Sequence, residues 1–411
     1  MRILFLTENF PPERNAAATR VYERAVYWAK WGHEISVITC APNFPEGRIY
    51  DGYQNRWYQT EVMDGIRVVR VKTFISRNEG IVLRTLDFVS YMIMAFSAGL
   101  FEKRPDVVAA TSPQFFAAVG GWVLASVRHV PFIFELGDLW PESIKAVGVM
   151  RDNVLLRWLE KFELFLYRKS AVVVALTQSF KDNLMRRGIP EDKIVVVING
   201  VDLPRYRPCP RDEELDLQWG VKGDFVIGYI GTLGMAHALE NVLDAAERLS
   251  GEPDVRFLFV GPGAARDGLM AEARRRGLQN IVFVPPQPKE KMPAFWSLCD
   301  VALIHLKDNQ VFESVIPSKI FEAMGMGLPL LLSAPKGEAS QIIEREGAGI
   351  CVSAEDPKAL ANAVISLKRD KKLYQGLSQR SLAAAPHYSR EHQARNMIEV
   401  FESVIKRKVA Q

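Results

Sequence analysis

Residues 224–234 read Asp-Phe-Val-Ile-Gly-Tyr-Ile-Gly-Thr-Leu-Gly, an apolar run that ends in a glycine-rich loop. Such a run is typical of a strand buried on both faces of a parallel sheet. A helical pattern follows over residues 239–249. The order strand, glycine loop and helix brings backbone N–H groups close to a bound anion. Taken alone, the segment also fits an ordinary turn from a strand to a helix.

The same alternation of strands and helices extends over the whole chain. Strands are predicted at 2–7, 34–39, 66–71, 107–110, 132–135, 171–175 and 194–198, and again at 225–230, 256–260, 281–283, 301–306, 328–333 and 349–352. Helices in the first half are predicted at 17–31, 81–101, 114–128, 153–169 and 178–187. Alternation of this kind predicts parallel sheets with helices on both faces. We therefore predict an α/β fold with two doubly wound, Rossmann-like domains that face one another across a cleft.

A proline-rich segment separates the two halves. Residues 203–210 read Leu-Pro-Arg-Tyr-Arg-Pro-Cys-Pro, a composition that marks a linker with little regular structure. We predict domains at 1–203 and 204–387, with a C-terminal helix within 388–411 that packs back on the first domain. Ligands are expected at the carboxyl ends of the strands.

Composition excludes several classes of function. The chain has 411 residues, 48% of them hydrophobic and 24% charged, which fits a soluble globular enzyme. Its net charge of +4 is too small to indicate a nucleic-acid partner. The four cysteines lie far apart, without the spacing of a zinc site, and predict free thiols in a reducing cytosol: Cys40, Cys209, Cys299 and Cys351.

No targeting or membrane-spanning segment is expected. A strand begins at once after Met1, so no secretory signal is predicted. Arg84 and Asp87 interrupt the apolar segment 81–101, and what remains is shorter than the ~20 residues that a span requires. The segment is either a core helix or a helix that lies on a bilayer surface.

A second loop resembles the other half of a nucleotide-diphosphate site. Residues 313–329 read Glu-Ser-Val-Ile-Pro-Ser-Lys-Ile-Phe-Glu-Ala-Met-Gly-Met-Gly-Leu-Pro. The junction places Lys319 at a helix N-terminus, which suits phosphate. Glu322 can accept two hydrogen bonds from ribose hydroxyls. In the alternative interpretation, Ser318 is only an N-cap and Glu322 only a first-turn acid that the helix dipole favours.

On these motifs the chain resembles the retaining glycosyltransferases of family 4, which have the two-domain GT-B fold. The resemblance rests on residues 32–39, 199–202, 231–234 and 321–329. Residues 138–143, 316–319 and 337–339 are similar to those of bacterial O-antigen, capsule and exopolysaccharide transferases, of the type that transfers N-acetylfucosamine. The resemblance implies net retention of anomeric configuration and independence of metal. No cofactor is expected, and the UDP-sugar is a substrate.

The predicted donor site combines both loops of the second domain. Its residues are Gly231, Thr232, Leu233, Gly234, His237, Pro285, Ser314, Pro317, Ser318, Lys319 and Glu322. The amides of residues 231–234 and the charge of Lys319 are expected to stabilise the departing diphosphate. His305 ends a predicted strand and is a weaker candidate for contact with the donor.

One position departs from the family pattern. The family's usual motif has two glutamates separated by seven residues, the second of which matches Glu322. Ser314 stands at the first position, and Glu313 lies one residue too early. Either the loop is one residue longer and Glu313 takes a catalytic role, or the carboxylate that contacts the sugar has been replaced.

The first domain is expected to bind the acceptor. Asn15, Ala16 and Ala17 lie where an irregular loop meets a helix, so a substrate can approach closely there. Asp138 follows a buried strand and is a candidate to orient or deprotonate an acceptor hydroxyl, together with Trp140 and Glu142. In the alternative interpretations the loop is simply mobile, and Asp138 caps a helix that begins near Pro141.

The resemblance also predicts partners and a location. We expect a nucleotide-sugar donor, a polyprenyl-diphosphate-linked saccharide acceptor and the inner surface of the cell membrane. The apolar segment 88–101 and basic residues between 145 and 169 are candidates for contact with anionic lipid. The protein is therefore expected to be cytoplasmic and peripheral.

Three other functions are weighed against this one. A dinucleotide oxidoreductase is disfavoured because no Gly-x-Gly-x-x-Gly motif follows any strand. A sugar-nucleotide 2-epimerase of GT-B shape, and a non-catalytic nucleotide-sugar-binding protein, remain alternatives. Neither of these two needs an acceptor.

Overall fold

The chain divides into two compact units. The computed structural model describes residues 1–13, 15–44, 46–76, 81–112, 115–139 and 154–409. Residues 1–199 and 390–411 belong to the N-terminal unit, and residues 200–389 to the C-terminal unit. The chain passes between them a few residues before the proline-rich linker predicted from the sequence.

The described part of the N-terminal unit contains an eight-stranded sheet. Its strands are β1 (Arg2–Leu6), β2 (Glu34–Cys40), β3 (Tyr58–Met63), β4 (Ile66–Val71), β5 (Val107–Thr111), β6 (Phe132–Leu136), β7 (Val172–Ala175) and β8 (Ile194–Val196). They lie in the order β3-β4-β2-β1-β5-β6-β7-β8. Every assigned pairing is parallel except that of β3 with β4.

β3 is a strand that the sequence analysis did not predict. It lies at the edge of the sheet, and none of its residues is fully buried. Asp64 and Gly65, which join it to β4, both have positive φ angles, 47° and 82°. An Asp-Gly turn between two strands is a strong hairpin signal because both central residues of the favoured turn need positive φ.

Helices cover both faces of this sheet. In the N-terminal half they are α1 (Ala16–Lys30), α2 (Ile81–Phe101), α3 (Phe115–Arg128), α4 (Val154–Lys169) and α5 (Gln178–Arg186). α2 to α5 share one hydrophobic core with the sheet, and α1 shares the other with the C-terminal helix of the chain. The indole nitrogen of Trp28 on α1 donates to the carbonyl oxygen of Ala394 at 2.9 Å.

The C-terminal unit has a six-stranded sheet in its described residues. The strands are β9 (Phe225–Ile230), β10 (Val255–Val260), β11 (Ile281–Val284), β12 (Val301–His305), β13 (Leu330–Ser333) and β14 (Gly349–Val352). The order is β11-β10-β9-β12-β13-β14, with parallel pairing. The direction of winding reverses between β9 and β12, and the carboxyl ends of strands at such a switch point form a crevice.

The helices of this unit are α6 (Glu213–Trp219), α7 (Glu240–Arg248), α8 (Arg266–Arg275), α9 (Met292–Ser297), α10 (Lys319–Met326), α11 (Glu338–Glu346), α12 (Pro357–Arg369) and α13 (Lys371–Ala384). The chain then returns to the N-terminal unit as α14 (Arg390–Val409). Two α/β units with parallel sheets confirm the predicted fold class. No helix in the described residues is long and apolar enough to cross a membrane.

Candidate active site

The loop after β9 packs tightly against the loop after β10. The N–H groups of Gly231 and Leu233 donate to the carbonyl oxygens of Val260 and Pro262, at 2.9 and 2.7 Å. A Cβ atom at Gly261 would lie 2.2 Å from the carbonyl oxygen of Gly231, so only glycine fits there. The prediction that all four amides of this loop face a phosphate is therefore wrong for Gly231 and Leu233.

The other two amides of the loop have no such partner. Within the described chain, the N–H groups of Thr232 and Gly234 donate to no acceptor. Leu233, in contrast, is fully buried and anchors the loop in the core. The amides of Thr232 and Gly234 can therefore donate to a ligand, whereas those of Gly231 and Leu233 cannot. Amides at alternate positions suit a diphosphate that approaches the loop from one side.

Lys319 is the charged centre of this site. It is the first residue of α10 and is 9% exposed. Its Nζ lies 3.5 Å from the centroid of the Tyr229 ring, and 3.1 Å from where a Cβ would stand on Gly231. Among the described residues, none accepts a hydrogen bond from Nζ. Burial lowers the pKa of Lys319 to about 7, and the nearby charge of Glu322 opposes this shift.

Two histidines hold each other beside Lys319. Nδ1 of His305, at the end of β12, lies 2.6 Å from the carbonyl oxygen of His237. Nδ1 of His237 lies 3.1 Å from the carbonyl oxygen of His305. Burial lowers the pKa of His237, and the charge of Lys319 lowers it further. This reciprocal pair connects the loop after β9 to the end of β12.

Glu322 is held by an aromatic residue. The indole nitrogen of Trp296, a buried residue of α9, donates to Oε2 of Glu322 at 3.3 Å. Glu322 is half-buried. A carboxylate held in this way retains further acceptor positions for ribose hydroxyls.

The remaining predicted donor residues lie on the two neighbouring loops. Ser318 stands at the N-cap of α10, but its side chain makes no capping hydrogen bond. The hydroxyl of Ser314 donates to the carbonyl oxygen of Val311 at 3.2 Å. Pro317 accepts a backbone hydrogen bond from Ile320, and Pro285 is exposed after β11.

Glu313 lies in a short 3-10 segment, Gln310–Ser314. Its side chain is exposed. Its carbonyl oxygen lies only 2.0 Å from where a Cβ would stand on Gly337, so the loop backbone is packed there. The backbone of Glu313 therefore fixes the loop, and its carboxylate faces outward from that contact.

The N-terminal unit contains a buried ion cluster that sequence reasoning missed. Glu135 on β6 accepts from Nε of Arg20 at 2.9 Å and from Nη2 of Arg24 at 2.7 Å. All three side chains are almost completely buried. The two arginines hold the pKa of Glu135 below its usual value, against the effect of burial. The cluster fixes the carboxyl end of β6, three residues before Asp138.

Asp138 is positioned by its backbone. The hydroxyl of Ser112 accepts from the N–H groups of Gly137 and Asp138, at 2.8 and 3.3 Å. The charge of Asp138 contributes, after burial and other charges, to raising the pKa of buried Tyr167. Asp138 is half-buried at the end of β6. Pro141, where a helix capped by Asp138 was expected to begin, lies outside the described residues.

The predicted acceptor residues on the first loop lie at the start of α1. Asn15 is the N-cap of α1 and accepts from the N–H of Ala18 at 2.9 Å. Ala16 and Ala17 form the first turn of the helix. Trp140 and Glu142 lie outside the described residues.

Comparison with known proteins defines the class. Residues 17–205 match the model of Glycosyltransferase Family 4, and residues 212–383 match that of Glycosyl transferases group 1. The chain is 25% identical over 378 residues to a putative colanic acid biosynthesis glycosyl transferase, WcaI, of Escherichia coli (strain K12). That alignment covers 89% of this chain and 91% of the relative.

Two further likenesses are informative. A GDP-mannose-dependent alpha-mannosyltransferase of Mycobacterium tuberculosis (strain CDC 1551 / Oshkosh) is 24% identical over 383 residues, which cover 93% of this chain and 92% of the relative. The structure of Anabaena HepE in complex with UDP superposes with a TM-score of 0.72 at 18% identity, covering 98% of this chain and all of HepE. At that identity the likeness to HepE shows the fold, which is GT-B.

The protein is therefore an enzyme, a glycosyltransferase with the GT-B fold. The two family models together span both units of the chain. The chain belongs to glycosyltransferase family 4, with a group 1 domain in its C-terminal unit.

Proposed function

We propose that the enzyme moves an N-acetylated amino hexose or deoxy-amino hexose from a UDP-sugar to a lipid-linked saccharide. The reaction retains the anomeric configuration, requires no metal and belongs to the synthesis of a bacterial surface polysaccharide. The description of the relative WcaI as a putative colanic acid biosynthesis glycosyl transferase supports this setting.

One observation carries the proposal: near the switch point of the C-terminal sheet, the buried Nζ of Lys319 has no hydrogen-bond partner among the described residues. Burying an unpaired cation costs free energy unless a ligand compensates it. A diphosphate supplies that compensation, and it can also accept hydrogen bonds from the N–H groups of Thr232 and Gly234 on the loop after β9, which donate to no acceptor within the described residues. The C-terminal unit is thus the donor domain and the N-terminal unit the acceptor domain.

The chemistry follows from where charge develops. When the anomeric C–O bond breaks, the diphosphate gains negative charge and the sugar becomes oxocarbenium-like. Lys319 is fixed in place before the reaction, so it stabilises the leaving group without reorganising. Glu322 holds the ribose, and Asp138 orients the acceptor hydroxyl. The departing phosphate takes up the acceptor's proton on the same face of the sugar, and no protein nucleophile is needed.

The transferase activity is tested by incubating the purified enzyme with UDP- and GDP-sugars, with and without a polyprenyl-diphosphate-linked saccharide. We expect release of UDP and a lengthened acceptor only when both substrates are present. Conversion of the sugar nucleotide without acceptor would indicate a 2-epimerase, and binding without turnover would indicate a non-catalytic protein. Turnover with GDP-mannose alone would overturn the proposed UDP donor.

We further propose that the N-terminal unit binds the membrane through α2 and α4. α2 exposes an apolar stripe at helical spacing: Leu83, Leu86, Ile93, Leu100 and Phe101. α4, which shares the same core, exposes Trp158 and several basic side chains, among them Lys161 and Lys169. Basic residues near anionic lipid contribute ~1 kcal/mol each, and an apolar stripe adds to this. Predicted lipid contacts at Lys145 and Arg151 lie outside the described residues.

Sedimentation with anionic liposomes tests this surface. The wild type is expected to sediment at low salt, and Ile93→Glu to remain in the supernatant. Leu217→Glu is the matched control, because Leu217 is as exposed but lies on α6 of the C-terminal unit. Equal sedimentation of both variants, or none by the wild type, would favour a soluble acceptor.

A further inference from the structure

The hydrogen bonds of His305 fix which of its nitrogens carries the proton. The side chain is 1% exposed, and its Nδ1 lies 2.6 Å from the carbonyl oxygen of His237. A carbonyl oxygen can only accept, so Nδ1 must be the donor. A neutral imidazole carries one proton, and Nε2 of His305 therefore presents a lone pair. Burial lowers the pKa of His305 to about 4, so the ring is neutral near neutral pH.

This buried acceptor has no partner within the described chain. Lys319 Nζ is a second buried atom without a hydrogen-bond partner among the described residues. Lys319 lies over the ring of Tyr229, and the ring of His237 packs edge-on to that ring with centroids 5.8 Å apart. Besides the lowering by burial, the charge of Glu355 raises the pKa of His305, and the charges of His237 and Lys319 lower it.

The two unpartnered atoms require different ligand groups. Phosphate oxygens satisfy Lys319, but at neutral pH they only accept hydrogen bonds and leave His305 Nε2 unsatisfied. Nε2 requires an O–H or N–H donor. A sugar attached to the diphosphate carries such donors, as hydroxyl groups or as the N–H of an N-acetyl group.

We propose that Nε2 of His305 accepts a hydrogen bond from a hydroxyl or amide N–H of the transferred sugar. His305 is then a specificity-determining residue for the donor sugar. This inference rests on the proposed function, because it requires a sugar nucleotide in the site. It also supplies a sugar-contacting acceptor in a chain whose Glu313 is exposed and that has Ser314 at the position of the family's first motif glutamate.

Two substitutions distinguish the role of Nδ1 of His305 from that of Nε2. His305→Asn places an amide near the position of Nδ1, which keeps donation to His237 but leaves nothing at Nε2. His305→Gln extends its amide toward the position of Nε2. Calorimetry then compares UDP with whichever of UDP-N-acetylglucosamine, UDP-glucose and UDP-galactose the wild type binds most tightly. Thermal unfolding confirms that each variant is folded.

We expect His305→Asn to bind UDP within two-fold of the wild type and the sugar nucleotide about ten-fold more weakly, the effect of one lost hydrogen bond. His305→Gln should recover part of the loss for the sugar nucleotide. Equal weakening of UDP and the sugar nucleotide by His305→Asn would overturn the role of His305. So would unchanged affinity for both.

Analogues identify the group that His305 contacts. Fluorine in place of each hydroxyl, or O-acetyl in place of N-acetyl, removes a donor. We expect one analogue to bind the wild type about ten-fold more weakly, with no further loss in His305→Asn. If the change in affinity for each analogue is the same in the wild type and in His305→Asn, His305 does not contact the sugar, although the proposed function stands. A wild type that binds neither UDP nor any sugar nucleotide overturns the proposed function itself.

Discussion

The two units treat buried charge at the carboxyl ends of their sheets in opposite ways. In the N-terminal unit Glu135 is enclosed by Arg20 and Arg24, at hydrogen-bond distances below 3 Å. In the C-terminal unit Lys319 is also buried but has no hydrogen-bond partner among the described residues. Removing one member of a buried ion pair leaves the other charge uncompensated, whereas a buried charge without such a pair is a candidate for ligand binding. The Glu135 cluster is therefore structural, and the surroundings of Lys319 are the proposed binding site.

The largest expected effect is a loss of stability when Glu135, the paired charge of the N-terminal unit, is removed. Glu135→Ala leaves two buried guanidinium groups without their carboxylate, which should lower the free energy of unfolding by about 3–5 kcal/mol. Urea unfolding measures the change, with Glu135→Gln as the variant of matched shape. A loss below ~1 kcal/mol in both variants would show that the cluster does not stabilise the N-terminal unit.

Lys319→Met should lower turnover and not stability, in contrast to the loss of stability expected for Glu135→Ala. The buried Nζ of Lys319 has no hydrogen-bond partner among the described residues, and burial lowers its pKa. Its removal should therefore leave the ligand-free protein as stable as the wild type, or more so, although the contact with the Tyr229 ring is lost. Turnover should fall by about 10²–10³, because the charge acts as the diphosphate departs. Steady-state kinetics and urea unfolding check both parts. A change confined to the Michaelis constant for the donor would contradict the proposed role.

Glu322 should act on ribose, with a smaller effect. Glu322→Ala is expected to weaken UDP binding ten- to a hundred-fold, which corresponds to ~1.5–3 kcal/mol of hydrogen bonds to a charged group. Glu322→Gln, which retains an acceptor and the shape of the side chain, should lose less. Calorimetry that finds unchanged UDP affinity in Glu322→Ala would rule out the ribose contact.

The pKa of Lys319 predicts a pH dependence of stability. Folding lowers this pKa from 10.5 to about 7, so between these values the unfolded chain binds more protons than the folded chain. Stability contributed at this residue must therefore rise with pH in that window, at most by about 1.4 kcal/mol per pH unit. Urea unfolding at pH 7 and pH 9 should show the rise in the wild type and not in Lys319→Met. If the two proteins differ in free energy of unfolding by the same amount at pH 7 and pH 9, the lowered pKa of Lys319 is contradicted.

Removal of metal should have the smallest effect. In the proposed function, Lys319 and the amides of Thr232 and Gly234 supply the compensation for phosphate charge, so we expect turnover to survive excess chelator. Loss of activity that magnesium or manganese restores would show that a metal shares this task.

The sequence predicted the fold better than the site. Strands such as β9 and β12 are continuous apolar runs, so their local composition determines them. β3 was missed because it is a half-exposed edge strand, although the turn at Asp64 and Gly65 signals it. Two of the four loop amides donate within the protein, and the loop sequence could not show this because their acceptors, Val260 and Pro262, lie at and after the end of β10.

The side-chain contacts of the site required the structure. Lys319 and Glu322 were predicted because they are close together in one motif. Tyr229, Trp296 and His305 reach the site from other elements, and no local pattern reports their contacts. The Glu135 cluster joins α1 to β6 across more than a hundred residues. A buried arginine pair on α1 opposite a strand glutamate is recognisable only once the two elements are packed.

The comparison between a satisfied and an unsatisfied buried charge is tested most directly by calorimetric titration with UDP. The wild type and Lys319→Met are titrated with excess chelator at pH 7.5, each in two buffers of different ionisation enthalpy. We predict that the wild type takes up protons as UDP binds, because the phosphates raise the lowered pKa of Lys319. Lys319→Met should bind UDP at least ten-fold more weakly and take up fewer protons. Equal affinity and equal proton uptake in the two proteins would contradict the assignment of Lys319 to the diphosphate.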